Sequence, residues 1–409
     1  MTRLSAICLL IFSSFFTLAQ RNCISSEYAL SHPFSSHSQI SNNRARVARD
    51  TMSNETIIIP VVIHVIYKAN EQNISEVQIQ SQIDALNKDY SRLNADTANI
   101  PVAFKNAVAD CKIKFCLAKV DPLGRLTSGI SRSYTSNDYF LGDDAMKFKA
   151  TGGQDAWDSK RYLNIWICNL FGRSLGYATL PGSPFDKDGV VINYDVFGTQ
   201  GTLRAPFNKG RTATHEIGHW MGLLHIWGDD LCGNDGVDDT PSQKSYNFGC
   251  PSFPRMSTCS PDSNGDMYMN FMDFVDDACM NMFSYGQKNK MRSCFSMNGF
   301  RNTFLDADAC DSSLAVGGAL PDSTMGAPVV IPEEGNFSVS PNPAQSFISI
   351  KGSDNFDVIG RSFEVFNMYG QKVLEFTCNF SGYKANVASL SSGVYMIRTG
   401  KKVARFIKL

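Results

Sequence analysis

The sequence predicts two folded parts in succession: an α+β unit, with a sheet backed by a helix, and then a small all-β sandwich. Three observations carry this. β-Branched runs such as Thr56–Tyr67 read as buried strands, and an apolar repeat at helical spacing follows the first of them. From Ser312 to Gly335 the chain turns Pro/Gly/Ser-rich, and short alternating segments come after it. The 409 residues, 43% of them hydrophobic, suffice for two to three domains with their own cores. The 38 Lys+Arg balance 39 Asp+Glu, so the chain lacks the basic footprint of a nucleic-acid binder or a polybasic membrane patch.

The chain opens with Arg3, an apolar or small run from Leu4 to Leu18, and small residues for a cut after Ala19. This is a signal-peptide layout over 1–19. No later stretch reaches the ~20 apolar residues of a membrane helix. Export puts the remainder in an oxidising compartment where many of the 12 Cys can pair. Residues 20–50 are polar, with Arg44, Arg46 and Arg49 close together, and read as a flexible pro-segment with a protease-accessible end.

Residues 51–311 form the expected α+β unit. Thr56–Tyr67 is its first strand. Ser75 with Gln78 makes a capping-box pattern, and Ile79, Ile83, Leu86, Tyr90 and Leu93 then recur on one helical face. Ile113, Phe115 and Leu117 alternate as in a half-buried strand, while Tyr162–Cys168 and Gly189–Tyr194 read as two more strands. Residues 312–335 are the linker. Within 336–409 the segments Phe337–Val339, Phe347–Ile350, Phe363–Phe366, Lys372–Phe376, Gly393–Ile397 and Ala404–Leu409 read as sandwich strands.

The chemistry concentrates in Thr214-His-Glu-Ile-Gly-His-Trp-Met-Gly-Leu-Leu-His, which holds three of the chain's 6 His. Residues four apart share a helix face, so His215 and His219 can bind one ion. Glu216 projects beside that face as a proton acceptor for water. Gly222 can take a positive φ and turn the chain, which lets His225 arrive as third ligand. Three imidazoles with one open position suit a catalytic Zn2+, since a structural site is closed by a fourth protein ligand. His64, in an apolar strand, reads as a core or supporting histidine, and His32 and His37 lie in the expected pro-segment.

The string HExxHxxGxxH is the metzincin signature, and the chain resembles the pappalysin family of secreted metalloproteases from about Thr56 to Cys294. The supporting segments are Ile59-Pro-Val-Val-Ile-His-Val, Leu163-Asn-Ile-Trp-Ile-Cys, Lys209-Gly-Arg-Thr-Ala-Thr, Val237-Asp-Asp-Thr-Pro and Asn270-Phe-Met-Asp-Phe-Val-Asp-Asp-Ala-Cys-Met. The resemblance implies a metzincin-type catalytic domain, with a twisted mixed sheet, a backing helix and a zinc-binding active-site helix, and a zinc endopeptidase acting on proteins or peptides. It implies that Met272 is the Met-turn floor under the zinc. It implies that Asp276 and Asp277, just beyond, wall the S1′ pocket, where they would favour a basic P1′ side chain. Two solvated surface carboxylates are the competing reading. Phe274 departs from the pattern, because the family has a tyrosine hydroxyl there to aid the tetrahedral intermediate. Losing one such donor costs ~10²–10³ in rate. A non-hydrolytic, zinc-bearing surface adhesin is therefore the competing function.

Nine Cys lie between Cys111 and Cys310, an odd number, so at least one is unpaired. Cys111, Cys116 and Cys168 sit in strand-like segments and read as inert buried thiols. The resemblance implies Cys232–Cys259 and Cys250–Cys279 bridges. It also implies that Cys23, in Gln20-Arg-Asn-Cys, is a latency switch whose thiolate takes the open zinc position. Asp235, Asp238, Asp239 and Thr240, in a Gly-containing loop, offer hard oxygens that suit structural Ca2+. A solvated acidic turn is the alternative.

The C-terminal segments Ser340-Pro-Asn-Pro-Ala, Phe366-Asn-Met-Tyr-Gly-Gln-Lys-Val, Leu390-Ser-Ser-Gly-Val-Tyr and Phe406-Ile-Lys-Leu resemble the type A sorting domain of the bacterial type IX secretion system. That resemblance implies recognition by the secretion machinery and an extracellular or cell-surface destination. A substrate-binding sandwich is the competing expectation.

Overall fold

The computed structural model describes residues 21–31, 55–172, 174–260, 264–315, 337–352, 358–367, 372–378, 383–400 and 402–409. The expected signal peptide, Arg44, Arg46, Arg49 and residues 316–336 of the linker region lie outside them. The chain divides into two compact units, Met1–Pro321 and Asp322–Leu409. Among the described residues no helix is long and apolar enough to cross a membrane.

In the first unit the central strand is β1 (Ile57–Tyr67), buried along nearly its whole length. It is long enough to serve three parallel neighbours. On one side it pairs first with β2 (Ile113–Leu117) and then with β3 (Ile130–Tyr134), and on the other with β4 (Leu163–Cys168). Pro60 is tolerated inside it because the β4 ladder begins only at Val61, so the missing N–H leaves no bond unmade on that side. Beyond β4 lies β6 (Val190–Asn193), and outside it β5 (Gly176–Ala178), the one antiparallel strand of the sheet. β3 and β5 were not expected. β3 has no buried face to produce an apolar alternation, and β5 is only three residues long.

Helix α2 (Glu76–Tyr90) backs the sheet with Ile79, Ile83, Leu86 and Tyr90 buried as expected, while Leu93 lies past its end and is exposed. Ser75 caps it by accepting Gln78 N–H at 3.1 Å. The Gln78 side chain is engaged elsewhere: its Nε2 donates to the carbonyls of Phe197 and Thr202 at 2.9 and 3.2 Å. Gln82 accepts Gly198 N–H at 2.7 Å and donates to Gly210 O at 2.9 Å. The buried polar groups of α2 therefore hold the loop that leads into the next helix, α3 (Arg211–Trp220). A shorter helix, α4 (Tyr285–Ser293), starts with a full capping box between Ser284 and Gln287.

The expected pro-segment is not flexible throughout. Residues 21–31 are ordered against the first unit, with α1 (Ser25–Ser31) at their end. Cys116 is not a free thiol either, because it is bridged to Cys310 across 194 residues of sequence. Further bridges join Cys232 to Cys259 and Cys250 to Cys279. Cys23, Cys111, Cys168, Cys294 and Cys378 are free.

The second unit contains two antiparallel sheets. One is ordered β10 (Lys372–Thr377), β9 (Ser362–Phe366), β12 (Gly393–Thr399), β13 (Lys402–Lys408), and the other β11 (Lys384–Asn386), β8 (Phe347–Gly352), β7 (Phe337–Ser340). Phe337, Ile348, Ile350, Phe363, Val365, Tyr395, Ile397 and Phe406 make one core between them.

The Cys116–Cys310 bridge closes the longest loop in the first unit. Replacing both residues by serine is expected to destabilise that unit by about 3–5 kcal/mol, read as a lower denaturation midpoint.

Candidate metal centre

Helix α3 is buried along all ten of its residues. Gly210, at its N-cap, has φ 76°. Arg211 is ion-paired with Asp89 and Asp96, each at 3.0 Å. Thr214 Oγ1 donates to Asp89 at 2.7 Å, and Tyr90 Oη donates to Thr214 O at 2.9 Å. Polar contacts from α2 thus fix the rotation of α3. After Trp220 the chain turns through Gly222, φ 88°, and returns to the helix.

The turn brings the three histidines together. His219 Nε2 lies 3.1 Å from both His215 Nε2 and His225 Nε2. Each ring has an acceptor for its other nitrogen. His215 Nδ1 faces Phe271 O at 2.7 Å, His219 Nδ1 faces Leu223 O at 2.9 Å, and His225 Nδ1 faces the Asp229 carboxylate. Those acceptors assign the protons to Nδ1 and leave three Nε2 lone pairs aimed at one point. Burial pushes His215 well below the usual imidazole range and His219 down to about 3, so both are neutral at pH 7. Neutral lone pairs this close fit a cation between them, and an all-imidazole donor set suits zinc.

Cys23 joins this group. Its Sγ and the three imidazoles have their ligand atoms within 4.8 Å of one another, the one such His/Cys/Asp/Glu cluster among the described residues. Glu216 is buried beside it. Glu216 Oε2 accepts Ser25 Oγ at 2.9 Å and Cys23 Sγ at 3.3 Å. Burial raises the carboxyl to about 7, against the two hydrogen bonds that lower it. Burial and the neighbouring Glu216 push the Cys23 thiol well above its ordinary value.

Met272 lies directly under α3. A Cβ on Gly218 would approach Met272 Sδ to 2.6 Å, so the glycine lets the thioether sit close against the helix. The Phe274 ring centroid lies 4.8 Å from His225, 5.7 Å from His215 and 5.5 Å from Tyr246.

Residues 21–25 run along the edge of β5. Leu175 N–H donates to Asn22 O at 2.9 Å, Ile24 N–H to Gly176 O at 3.3 Å, and Ala178 N–H to Ser25 Oγ at 2.9 Å. Cys23 and Gly176 form a parallel bridge. Arg21 is fully buried. It donates to Asp277 Oδ1 at 2.5 Å, Thr212 Oγ1 at 3.1 Å and Val275 O at 3.3 Å, and lies over the Phe207 ring at 5.1 Å. Asp277 Oδ2 accepts Lys209 N–H at 2.7 Å. Asp276 is half-buried and makes no hydrogen bond to Arg21, though the guanidinium acts on its carboxyl electrostatically; Asp277 makes the direct ion pair.

Of the four residues named for calcium, Asp235 and Thr240 bond to each other, while Asp238 and Asp239 are placed otherwise. Asp239 accepts Ser284 Oγ at 2.6 Å and Gly286 N–H at 2.8 Å, Asp238 is exposed, and Lys290 Nζ donates to Asp235 O at 2.6 Å. Asp235 Oδ1 accepts Thr240 Oγ1 at 2.8 Å. His64 is a buried core group, bonded to Ser131 Oγ at 2.8 Å and Asn164 Oδ1 at 2.9 Å and pushed down to about 4 by burial.

Comparison with known proteins meets this geometry. A family model described as pregnancy-associated plasma protein-A, Peptidase M43, matches residues 149–296, and a secretion system C-terminal sorting domain matches 338–408. An extracellular metalloprotease of Verticillium alfalfae is 32% identical over 254 residues, which cover 59% of this chain and 78% of the relative. The chain belongs to the pappalysin family. Mature mirolysin of Tannerella forsythia, solved with a cleaved peptide, is 48% identical with TM-score 0.62, over 64% of this pappalysin and 99% of that chain. A Tannerella forsythia promirolysin mutant is 45% identical with TM-score 0.66, over 70% and 97%. This pappalysin is a secreted metalloendopeptidase with a type IX sorting domain.

Three residues escaped the sequence reading. Asp229 stands four residues after His225, Arg21 two before Cys23, and Ser25 two after it. The usable signal was proximity to a motif residue, which is weak without a structure. Asp229→Asn is expected to weaken zinc binding about 10–100-fold, measured by competition with a chromogenic chelator.

Proposed function

We propose that this pappalysin is a zinc endopeptidase held latent by its own residues 21–31. The observation that carries this is the joint masking of the cleft: Cys23 Sγ stands among the three imidazoles while Arg21 fills the Asp277 pocket. His215, His219 and His225 would hold the zinc. The bound metal supplies a Lewis acid that polarises the scissile carbonyl and acidifies water. Glu216 takes the proton of the attacking water and delivers it to the leaving amine nitrogen as the C–N bond breaks. The edge of β5 pairs with the substrate backbone through groups now bonded to Asn22 and Ile24. Met272 supports the floor.

A basic P1′ preference is supported by Arg21 itself. Its guanidinium meets a buried carboxylate, a hydroxyl and a carbonyl, a set that a neutral side chain would leave unpaired. A cut before Arg44, Arg46 or Arg49 would use the same pocket for activation. The adhesin reading is disfavoured by Glu216, because a carboxylate that is never used has no need of cover from Cys23 and Ser25. Structural calcium is supported by one atom, the buried Asp235 Oδ2, which has no hydrogen-bond partner.

The deciding experiment incubates the processed protein, freed of residues 21–31, with a denatured protein substrate, with and without a zinc chelator, and sequences the product termini. Cleavage before Arg or Lys that the chelator stops is expected; chelator-resistant or absent cleavage would sink the reading. Glu216→Gln is expected to lower kcat by about 10²–10⁴. Cys23→Ala should raise the activity of the unprocessed chain, and equal silence of the variant and the parent would refute the switch. Added calcium should raise the unfolding temperature of the zinc-loaded protein, and Asp235→Ala should remove that rise.

A further inference from the structure

Beyond the metal cluster, residues 24–28 enter a second slot that the chemistry above does not use. The Tyr28 side chain is 3% exposed, and its hydroxyl donates to Asp144 Oδ2 at 2.6 Å. The other oxygen of that carboxylate accepts Tyr177 Oη at 3.0 Å and pairs with Lys147 Nζ at 2.8 Å. Lys147 is fully buried, and its ammonium lies 5.2 Å from the Tyr28 ring, 4.9 Å from Tyr177 and 5.4 Å from Trp166. The rings of Tyr28 and Tyr177 are 5.0 Å apart. One turn earlier, Ile24 Cδ1 occupies the space a Cβ on Gly142 would need.

The slot borders the strand that substrate must follow. Side chains alternate along β5: a Cβ on Gly176 would meet Glu216 Cγ at 3.2 Å, so Tyr177 faces away from α3, into the slot. Along residues 21–28, Arg21 is in the Asp277 pocket, Cys23 is at the imidazoles, and Tyr28 comes beyond them. If the Asp277 pocket takes P1′, the Tyr28 slot belongs to the non-primed side.

We propose that the Asp144–Lys147–Tyr177 slot is a substrate subsite on the non-primed side, selective for a phenolic side chain, with Tyr28 as its occupant in the latent form. This rests on the reading of residues 21–31 as the plug of the substrate cleft. The selectivity follows from what remains when Tyr28 leaves. Among the described residues, Asp144 Oδ2 then keeps Lys187 Nζ, at 3.3 Å. A tyrosine restores the short hydrogen bond and the ring over Lys147. A phenylalanine restores the ring and leaves the carboxylate oxygen short of a donor, a difference that hydrogen-bonding sites turn into discrimination.

The test uses enzyme from which residues 21–31 have been removed by processing. Its substrates are peptides with Arg after the scissile bond and Tyr, Phe or Ala at each of the four positions before it. At one position Tyr is expected to exceed Phe by about tenfold in kcat/KM. Asp144→Asn is expected to bring the Tyr:Phe ratio close to one, and Tyr177→Phe, which leaves the buried Asp144–Lys147 pair in place, to reduce it. Tyr and Phe within twofold of each other at all four positions would overturn the proposal while leaving the P1′ reading intact. A ratio unchanged in both variants would overturn it as well. Failure to cut any of the peptides would overturn both the subsite and the reading of the cleft beneath it.

Discussion

The site depends on where three imidazole protons go. Each Nδ1 is committed to an acceptor supplied by a different part of the chain: Phe271 O from the Met272 turn, Leu223 O from the turn after α3, and Asp229 from the segment beyond. With those protons fixed, the Nε2 atoms converge at 3.1 Å separations, which is unfavourable for bare lone pairs and favourable around a cation. The elements around the cluster therefore serve to hold acceptors in place. Helix α2 sets α3 through Asp89 and Tyr90, and Gln287 of α4 exchanges hydrogen bonds at 2.8 and 2.9 Å with Asn270, whose Oδ1 accepts Met272 N–H.

What could be read from the sequence was what leaves a periodic or spaced mark. The α2 face, β1, β4 and β6 all show as apolar pattern, and the histidine spacing shows as a helix followed by a turn. The polar face of α2 left no such mark. Gln78 and Gln82 are buried because they bond a loop more than a hundred residues away, and no local pattern predicts that. β5 is too short for periodicity, yet residues 21–25 bond along it beside the metal-ligand cluster. Cys116 misled for a related reason: a strand position argues for burial and says nothing of the partner 194 residues on. Asp276 and Asp277 share a sequence signal, but the direct ion pair to Arg21 is made by Asp277.

Residues 21–31 imitate a ligand at successive points. A guanidinium meets a buried carboxylate, a thiol sits among the imidazoles, a serine covers the base, and a phenol meets a second carboxylate. Among the described residues, Glu216, Asp144 and Asp277 each accept a hydrogen bond from this segment. The segment need not be long to be effective, because each contact falls on a group built to hold something.

The parallel bridge between Cys23 and Gly176 has a further consequence. If the Asp277 pocket takes the residue after the scissile bond, the segment threads the cleft backwards, with its N-terminal side where the C-terminal side of a substrate belongs. Its carbonyls and amides then reach the metal in inverted order, and no peptide bond is presented for attack. A molecule cannot excise its own plug in that position. On that reading, the cleft that would cut before Arg44, Arg46 or Arg49 is the one the segment fills, and release falls to a molecule whose own cleft is already open.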